Sequence, residues 1–478
     1  MNKILTCLLL SAAVTGCTMA PKYNRPDPPV PKEWPKGNAY QEGESKTNRN
    51  SALELAWDQC FTDEKIQHLI QLALTNNLDL KTAVINVQLS RAQYGIQRAE
   101  LLPSINGAAG QARARIPHDL SSTGQAQIQN QYSVSLGAAA WELDFFGRIR
   151  SLKESALQQY LASKEAQRNA QILLVSAVAN AYLNLAADSE NLRLSETTFQ
   201  SQEHTYNLIA QRNHLGLATD LDVNQARTQV ESARVDIAKF TRLVALDKNA
   251  LDFLLGKPAP VQWLPDNLDN VSPVREVSAG LPSDVLLQRP DVLAAEDQLK
   301  SANANIGAAR AAFFPRISLT AAVGTASSDL SGLFKYGSTT WSYAPQLVVP
   351  IFDARTWSAH KMAKAQREMA VAQYERAIQN AFREVADALA TRGTVNQELA
   401  AQETLVKTVS ETYQLSSYRY DKGLDNYLGV LDAQRSLYAA QQGLVSLRLA
   451  KMSSGIRLYS VLGGGWQPST NSPTMTNP

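Results

Sequence analysis

At 478 residues with a formal net charge of +2, the chain has the length of two or three ordinary domains and no excess of either charge. No dense lysine and arginine patch stands out, which argues against nucleic acid as a partner. Beyond the first residues no uninterrupted run of eighteen apolar residues occurs, so a membrane crossing by the mature chain would require the strands of a closed barrel.

The amino terminus, MNKILTCLLLSAAVTGC, has one lysine, an apolar core from Ile4 to Val14 and small residues before a cysteine. That is the layout of a bacterial export signal, here residues 1–16, too short to stay as a membrane helix. Val14-Thr15-Gly16-Cys17 has the form of a lipoprotein cleavage site: only cysteine offers a thiol to carry a diacylglycerol, and small residues fit the protease that cuts before it. Cys17 is therefore the expected lipidation site, carrying a diacylglycerol and an N-acyl chain such as palmitate; no other cofactor is expected. An ordinary signal peptide with an incidental Cys17 is the alternative. Thr18 stands where an aspartate would mark retention at the inner membrane, so outer-membrane sorting is expected. Cys7 departs with the signal, which leaves Cys60 without a disulfide partner.

Residues 17–60 read as a tether rich in proline, glycine and charge. A first repeat is expected over 61–256. It opens with a helix that Thr62 can cap, with Ile66, Leu69, Ile70 and Ala73 on helical spacing, and continues with a helix that follows Asn77 and runs to about Leu101. A strand pair over about 104–143, a long helix over 148–214 and a returning helix over 220–255 complete it. A proline-rich connector, 257–283, leads to a second repeat over 284–460: a helix, a strand pair over about 316–350, a long helix over 355–421 and a returning helix over 427–459. Residues 461–478 form a glycine-rich, then polar tail.

The repeats declare themselves by landmarks. LLP ending at Pro103 recurs as FFP ending at Pro315; DFFGRIRS, with Arg148, recurs as IFDARTWS, with Arg355; LGLATDLDVNQAR recurs as KGLDNYLGVLDAQR, where Gly216 answers Gly423. The last two pairs are both 207 positions apart, as an internal duplication requires. Each proline removes a helical hydrogen bond and steers its predecessor to extended geometry, so it marks a helix giving way to a strand. Ile317, Leu319, Ala321 and Val323 then alternate with Ser318, Thr320, Ala322 and Gly324, and Tyr132, Val134, Leu136, Ala138 and Ala140 with Ser133, Ser135, Gly137 and Ala139. One face is apolar and the other small or polar, as suits strands between lipid and water, with Trp141, Trp341 and Tyr343 at its borders. In the first strand Ala108, Ala112, Ala114 and Ile116 are expected toward lipid and Gln111, Arg113 and Arg115 toward water, with Ile105 out of phase.

Four strands cannot close a barrel, whereas three copies give twelve, which can. A soluble sandwich is the alternative, and it leaves the long helices unexplained. Those run 67 residues each without proline, about 100 Å at the helical rise of about 1.5 Å per residue. That length suits a tunnel wall better than a globular domain. Gly216 and Gly423 end them, and Asp220 or Asp425 can cap the returning helices.

The five histidines fall on no metal-ligand spacing, and HExxH, GxSxG, dinucleotide-loop and CxxC motifs do not occur. Neither metal nor catalytic residues are expected, and a conduit is favoured over an enzyme. Leu428 and Asp432, four apart, share a helix face beside the second turn. In a trimer they become an apolar and an acidic ring, where carboxylates about 7 Å apart repel by roughly 0.6–2.4 kcal/mol per pair. A core Leu428 and a surface Asp432 suit the residues equally. Asp222 can accept a hydrogen bond from Tyr420 and latch neighbouring helix pairs; an exposed Asp222 beside a packed Tyr420 suits them as well.

The segments AVTGC, RAELLPSI, ARAAFFPRISLTAAVG, AWELDFFGRIRS, LLQRPDVLAAEDQL, YRYDKGLDNYLGVLDAQRSLYAAQ and YSVLGGGW closely resemble the outer membrane factor family, in its lipoprotein branch serving resistance-nodulation-division multidrug efflux systems. The resemblance implies an α+β homotrimer with one channel: a twelve-stranded outer-membrane β-barrel continuous with a long periplasmic α-helical barrel, and an equatorial domain from the chain ends and the connector. It implies that the tips, Leu215, Gly216 and Leu217 with Lys422, Gly423 and Leu424, meet a periplasmic adaptor, a membrane fusion protein. The adaptor joins them to an inner-membrane resistance-nodulation-division transporter, which supplies the energy while the channel conducts drug-like compounds passively. Asp432 falls where the family keeps a pore-facing aspartate, Leu428 where this branch keeps a leucine constriction, and Asp222 and Tyr420 on a latch pair of the better-known secretory and export member. That member has an arginine at the place of Asp425 and a second gate aspartate at the place of Gly429, departures that weaken the carry-over of its latch. A polypeptide secretion channel and a non-conducting structural outer-membrane lipoprotein are the alternatives.

Overall fold

The structure, a computed structural model, describes residues 18–40, 56–272, 274–275 and 286–464. Cys17 with the signal segment, and the tail beyond Gly464, lie outside the described residues, as do parts of the tether and connector. In chain order the elements are α1 (Trp57–Cys60), α2 (Glu64–Asn76), α3 (Leu78–Ala99), β1 (Ile105–Ile116), β2 (Gln127–Leu143), α4 (Arg148–His214), α5 (Asp220–Leu255), α6 (Pro290–Ala311), β3 (Arg316–Ser327), β4 (Thr339–Val348), α7 (Ala354–Asp421) and α8 (Tyr427–Val461). They divide between two units, one of residues 1–27, 86–164 and 294–374, the other of 28–85, 165–293 and 375–478.

The first unit holds one antiparallel sheet in the order β1-β2-β3-β4, with both hairpins turning away from the helix joins. Pairing fixes its faces, because directly opposed residues point the same way. Leu136 opposes Gly107 and Val323, Val323 opposes Trp341, and Ile317 opposes Leu347, which makes that face apolar. The reverse face carries Ser133, Ser135 and Gly137 with Ala322, Gly324 and Ser342. Between Ala138 and Trp141 the register shifts by one residue. At this bulge Ala140 takes φ 50° and donates its N–H to Thr320 Oγ1 at 3.0 Å. Strict alternation would send Trp141 to the polar face; the bulge returns it to the apolar one, opposite Leu319.

Strand β1 corrects the expected orientation. Ile105 opposes Ala138 and Arg113 opposes Asn130, so Ile105, Gln111, Arg113 and Arg115 lie on the apolar face, and Ala108, Ala112, Ala114 and Ile116 on the polar one. Alanine suits either face, so β1 alone does not set its own phase; its register against Leu136 does.

Residues 18–25 are fastened along α6. Tyr23 OH donates to Glu296 Oε1 at 3.0 Å, and the Arg25 guanidinium reaches both carboxylate oxygens at 2.9 and 2.6 Å. Asn303 Nδ2 donates to the Pro21 carbonyl at 2.8 Å. A Cβ on Gly307 would meet the backbone nitrogen of Ala20 at 2.7 Å, and one on Gly147, at the β2–α4 join, would meet Thr18 Cα at 2.9 Å. Burial of Glu296 favours its protonated form, but the Arg25 hydrogen bond and Lys300 outweigh this and hold its carboxyl below the usual range.

In the second unit α2 is capped by Asp63, where Thr62 was expected. Asp63 Oδ1 accepts from the N–H groups of Lys65 and Ile66 at 2.9 and 3.1 Å, while Oδ2 accepts from Ser272 N at 3.1 Å. A carboxylate can serve the helix start and the connector together, whereas a hydroxyl has one oxygen. α4 includes an 18-residue window apolar enough to cross a membrane, yet 61% of it is buried within the protein. Val175, Val178, Tyr182, Leu183 and Ala186 are core residues there. Cys60 is fully buried, and desolvation pushes its thiol up to about 12, which leaves it unreactive.

Candidate functional site

The two long helices end alike. Gly216 and Gly423 adopt left-handed backbone at φ 75° and 71°. Leu217 N donates to Arg212 O and Leu424 N to Arg419 O, each at 2.9 Å, while Gly216 N and Gly423 N donate to Asn213 O and Tyr420 O at 2.8 and 2.9 Å. This nested pair of bonds satisfies the last helical carbonyls and needs a residue free of the Cβ clash at the turn. The equal offset in sequence is thus one turn built twice.

The starts of the returning helices differ from each other and from expectation. Thr219, not Asp220, caps α5: its hydroxyl accepts from Asp222 N while Asp222 Oδ2 accepts from Thr219 N at 2.9 Å and Thr219 Oγ1 at 2.7 Å. Asp220 accepts from Asn213 Nδ2 at 3.1 Å and braces the turn from inside the first helical turn. Asn426 precedes α8 without a side-chain cap bond, and Asp425, the other expected cap, pairs with Arg419 Nε and Nη2. The hydrogen bond from Arg419 holds the Asp425 carboxyl below its usual range.

Behind the turns Ile209, Ala226, Tyr427, Val430 and Leu431 bury together, with Tyr206, Tyr413 and Tyr420 packed against them. The Tyr420 ring stands 5.4 Å from that of Tyr427 and 5.3 Å from the Arg212 guanidinium. Burial, with neighbouring Tyr420, Tyr413 and Asp222, pushes the Tyr427 phenol upward. The Asp222–Tyr420 latch is therefore not made within this chain: Asp222 serves Thr219, and Tyr420 joins the two repeats through its ring. Arg435 extends the join by donating from Nε to Gln229 Oε1 at 3.2 Å, and Tyr438 OH donates to Asp236 Oδ2 at 3.1 Å.

Tyr427, Val430 and Leu431 face that cluster, which turns Leu428, 56% exposed, and Asp432 outward on α8. With Arg435 directed to Gln229, Asp432 has no ion pair among the described residues. Leu215, Leu217 and Leu424 are exposed at the tips, as is Lys422, whose ammonium lies 5.4 Å from the Tyr418 ring. Leu221, 64% exposed, belongs to no motif of its own, and its place one repeat offset before Leu428 is the signal that marks it. Farther along, Asp247 on α5 is raised to about 6 by burial and by the Asp188 carboxylate on α4. The exposed face beside the turns thus carries apolar and acidic groups together, Leu221 and Leu428 with Asp432.

Residues 69–257 and 281–464 match the Outer membrane efflux protein family. The chain belongs to that family. This outer membrane efflux protein is 47% identical over 473 residues to the Toluene efflux pump outer membrane protein TtgC of Pseudomonas putida, across 98% of this chain and 97% of that one. It is 41% identical over 464 residues to Outer membrane protein OprJ of Pseudomonas aeruginosa, across 96% of this chain and 95% of the relative. Among solved structures, the open-state MtrE outer membrane channel of Neisseria gonorrhoeae superposes with a TM-score of 0.84 at 38% identity, covering 94% of this chain and 99% of that one. The efflux-family resemblance drawn from the motifs holds across both repeats.

Proposed function

We propose that this protein is the outer-membrane exit channel of a tripartite efflux pump, conducting drugs or other small toxic compounds passively from the periplasm to the exterior. The observation that carries this is the exchange of structure at Pro103 and Pro315, where helices give way to a sheet with one apolar and one polar face. Among the described residues neither β1 nor β4 has a second neighbour in the sheet, and lipid does not tolerate such open edges. Three copies closing one twelve-stranded barrel would satisfy both edges and set the polar faces around water. The helices then continue the channel in the periplasm.

Leu428 and Asp432 form the gate in this reading, and the exposed tips around Gly216 and Gly423 receive a periplasmic adaptor. The adaptor connects to an inner-membrane transporter of the resistance-nodulation-division class, which supplies the energy. A lipid anchor on Cys17 belongs to the same reading, and Thr18, the first described residue, packs beside the β2–α4 join. No catalytic step is assigned. The test is single-channel conductance of the acylated protein in planar bilayers, comparing the unaltered chain with Leu428→Ala and Asp432→Ala. A small, cation-selective conductance is expected, larger in either variant and less selective without Asp432. Silence from all three would refute the channel and leave a structural lipoprotein.

A further inference from the structure

The register of β1 sets arginine on the face that otherwise meets lipid. Arg113 opposes Asn130 and Arg115 opposes Ile128, in the same row as Ile105 opposite Ala138 and Gly107 opposite Leu136. Both arginines are exposed, and among the described residues neither has a carboxylate within ion-pair distance. A lipid-facing arginine is costly at the bilayer midplane and close to neutral at its edge. Their height therefore decides what they meet. With a strand rise of about 3.4 Å and a tilt of about 40°, each residue climbs roughly 2.5 Å along the membrane normal. Counting from Ile105, at the helix join, Arg113 lies roughly 20 Å up and Arg115 roughly 25 Å up, where an apolar band about 25 Å tall ends. Gln111, one step below, already turns polar and donates to Tyr132 OH at 3.1 Å across the strands.

At that level the chemistry suited to two adjacent guanidinium groups is phosphate, which accepts their paired N–H donors and offsets their charge. We infer that Arg113 and Arg115 form a binding site for the phosphate groups of a phosphorylated glycolipid in the outer leaflet. The site lies on the outer wall, apart from the conduit and the tips, and it rests on the membrane-barrel reading. The fold prepares it by pairing alone: a shift of one residue in the β1–β2 register would turn both arginines to the polar face.

The experiment uses the full-length protein in detergent and native mass spectrometry with added bis-phosphorylated lipid A, against the same lipid stripped of phosphate. The unaltered protein is expected to retain the phosphorylated form selectively. Arg113→Gln with Arg115→Gln should weaken retention roughly tenfold or more, as follows from about 1 kcal/mol per basic residue at an anionic surface. Arg113→Lys with Arg115→Lys should keep most of it. Equal retention by the glutamine variant, or equal retention of phosphate-free lipid, would overturn the inference. Carbonate-resistant insertion of the same preparations into phosphatidylethanolamine–phosphatidylglycerol vesicles separates the two readings. Loss of insertion by the unaltered protein would refute the barrel, whereas insertion without phosphate preference would refute only the lipid site.

Discussion

Tyr420 distinguishes two ways of holding the tips closed. Its ring meets the Arg212 guanidinium at 5.3 Å and Tyr427 at 5.4 Å, while Asp222 is engaged by Thr219. Tyr420→Ala removes a cation–π contact worth about 0.5–1 kcal/mol and an aromatic pair worth about 0.5–1.5 kcal/mol. The loss of about 1–2.5 kcal/mol per chain moves the closed-to-open ratio of one joined tip roughly 5- to 70-fold, provided the contacts break on opening. Tyr420→Phe keeps the ring and both contacts and should leave the resting conductance unaltered. The assay is open probability in planar bilayers for the three proteins at one salt concentration, with circular dichroism to confirm equal helix content. If Tyr420→Phe opens the channel as far as Tyr420→Ala, ring packing is refuted and a hydroxyl bond to Asp222 between copies becomes the closing contact.

Gly423→Ala should lower the melting temperature, because alanine at φ 71° is strained by about 1–2 kcal/mol, whereas Gly429→Ala, with open space around its Cβ and no such φ, should not; equal losses would contradict the turn argument. Glu296→Gln should speed hydrogen exchange in residues 18–25. Because Glu296 titrates below its ordinary value in the folded chain, its contribution is present at neutral pH and is lost as acid protonates it, so the unaltered strap should loosen toward the variant only at low pH. Asp247 shows the opposite sign: raised from 3.8 to about 6, it makes the folded chain bind a proton more tightly than the unfolded one, and stability falls as pH rises through that window. Asp247→Asn should flatten that slope and raise the melting temperature more at pH about 7 than at pH about 4; an unchanged slope would assign it to another group.

Much of this architecture is legible in the sequence because its signals are long or repeated. A 67-residue helix such as Arg148–His214 averages over local ambiguity, and Pro103, Pro315, Gly216 and Gly423 each impose a backbone constraint that few other residues satisfy. What escaped depended on partners distant in the chain. The phase of β1 is undetermined by its own alanines and is set by Leu136 and Ala138 across the hairpin. The caps at Asp63 and Thr219 lie one position from the expected residues, since several neighbours could each supply an oxygen, while α8 starts after Asn426 with no side-chain cap bond. Asp222 and Tyr420 are close to the same turns, as expected, but proximity did not reveal that a nearer donor on Thr219 would claim the carboxylate. The pairing of Asp188 with Asp247 and of Gln229 with Arg435 required knowing which helix faces meet.

The outer edges of β1 and β4, unpartnered among the described residues, bear on inheritance as well as on folding. When several copies of the sheet close a single ring, every seam is shared, so a chain with one spoiled edge disables the intact chains beside it. A lesion in either edge strand should behave as dominant in a cell that also carries the normal allele. A lesion confined to the interior of one helix pair should behave as recessive, because it damages only the copy that bears it.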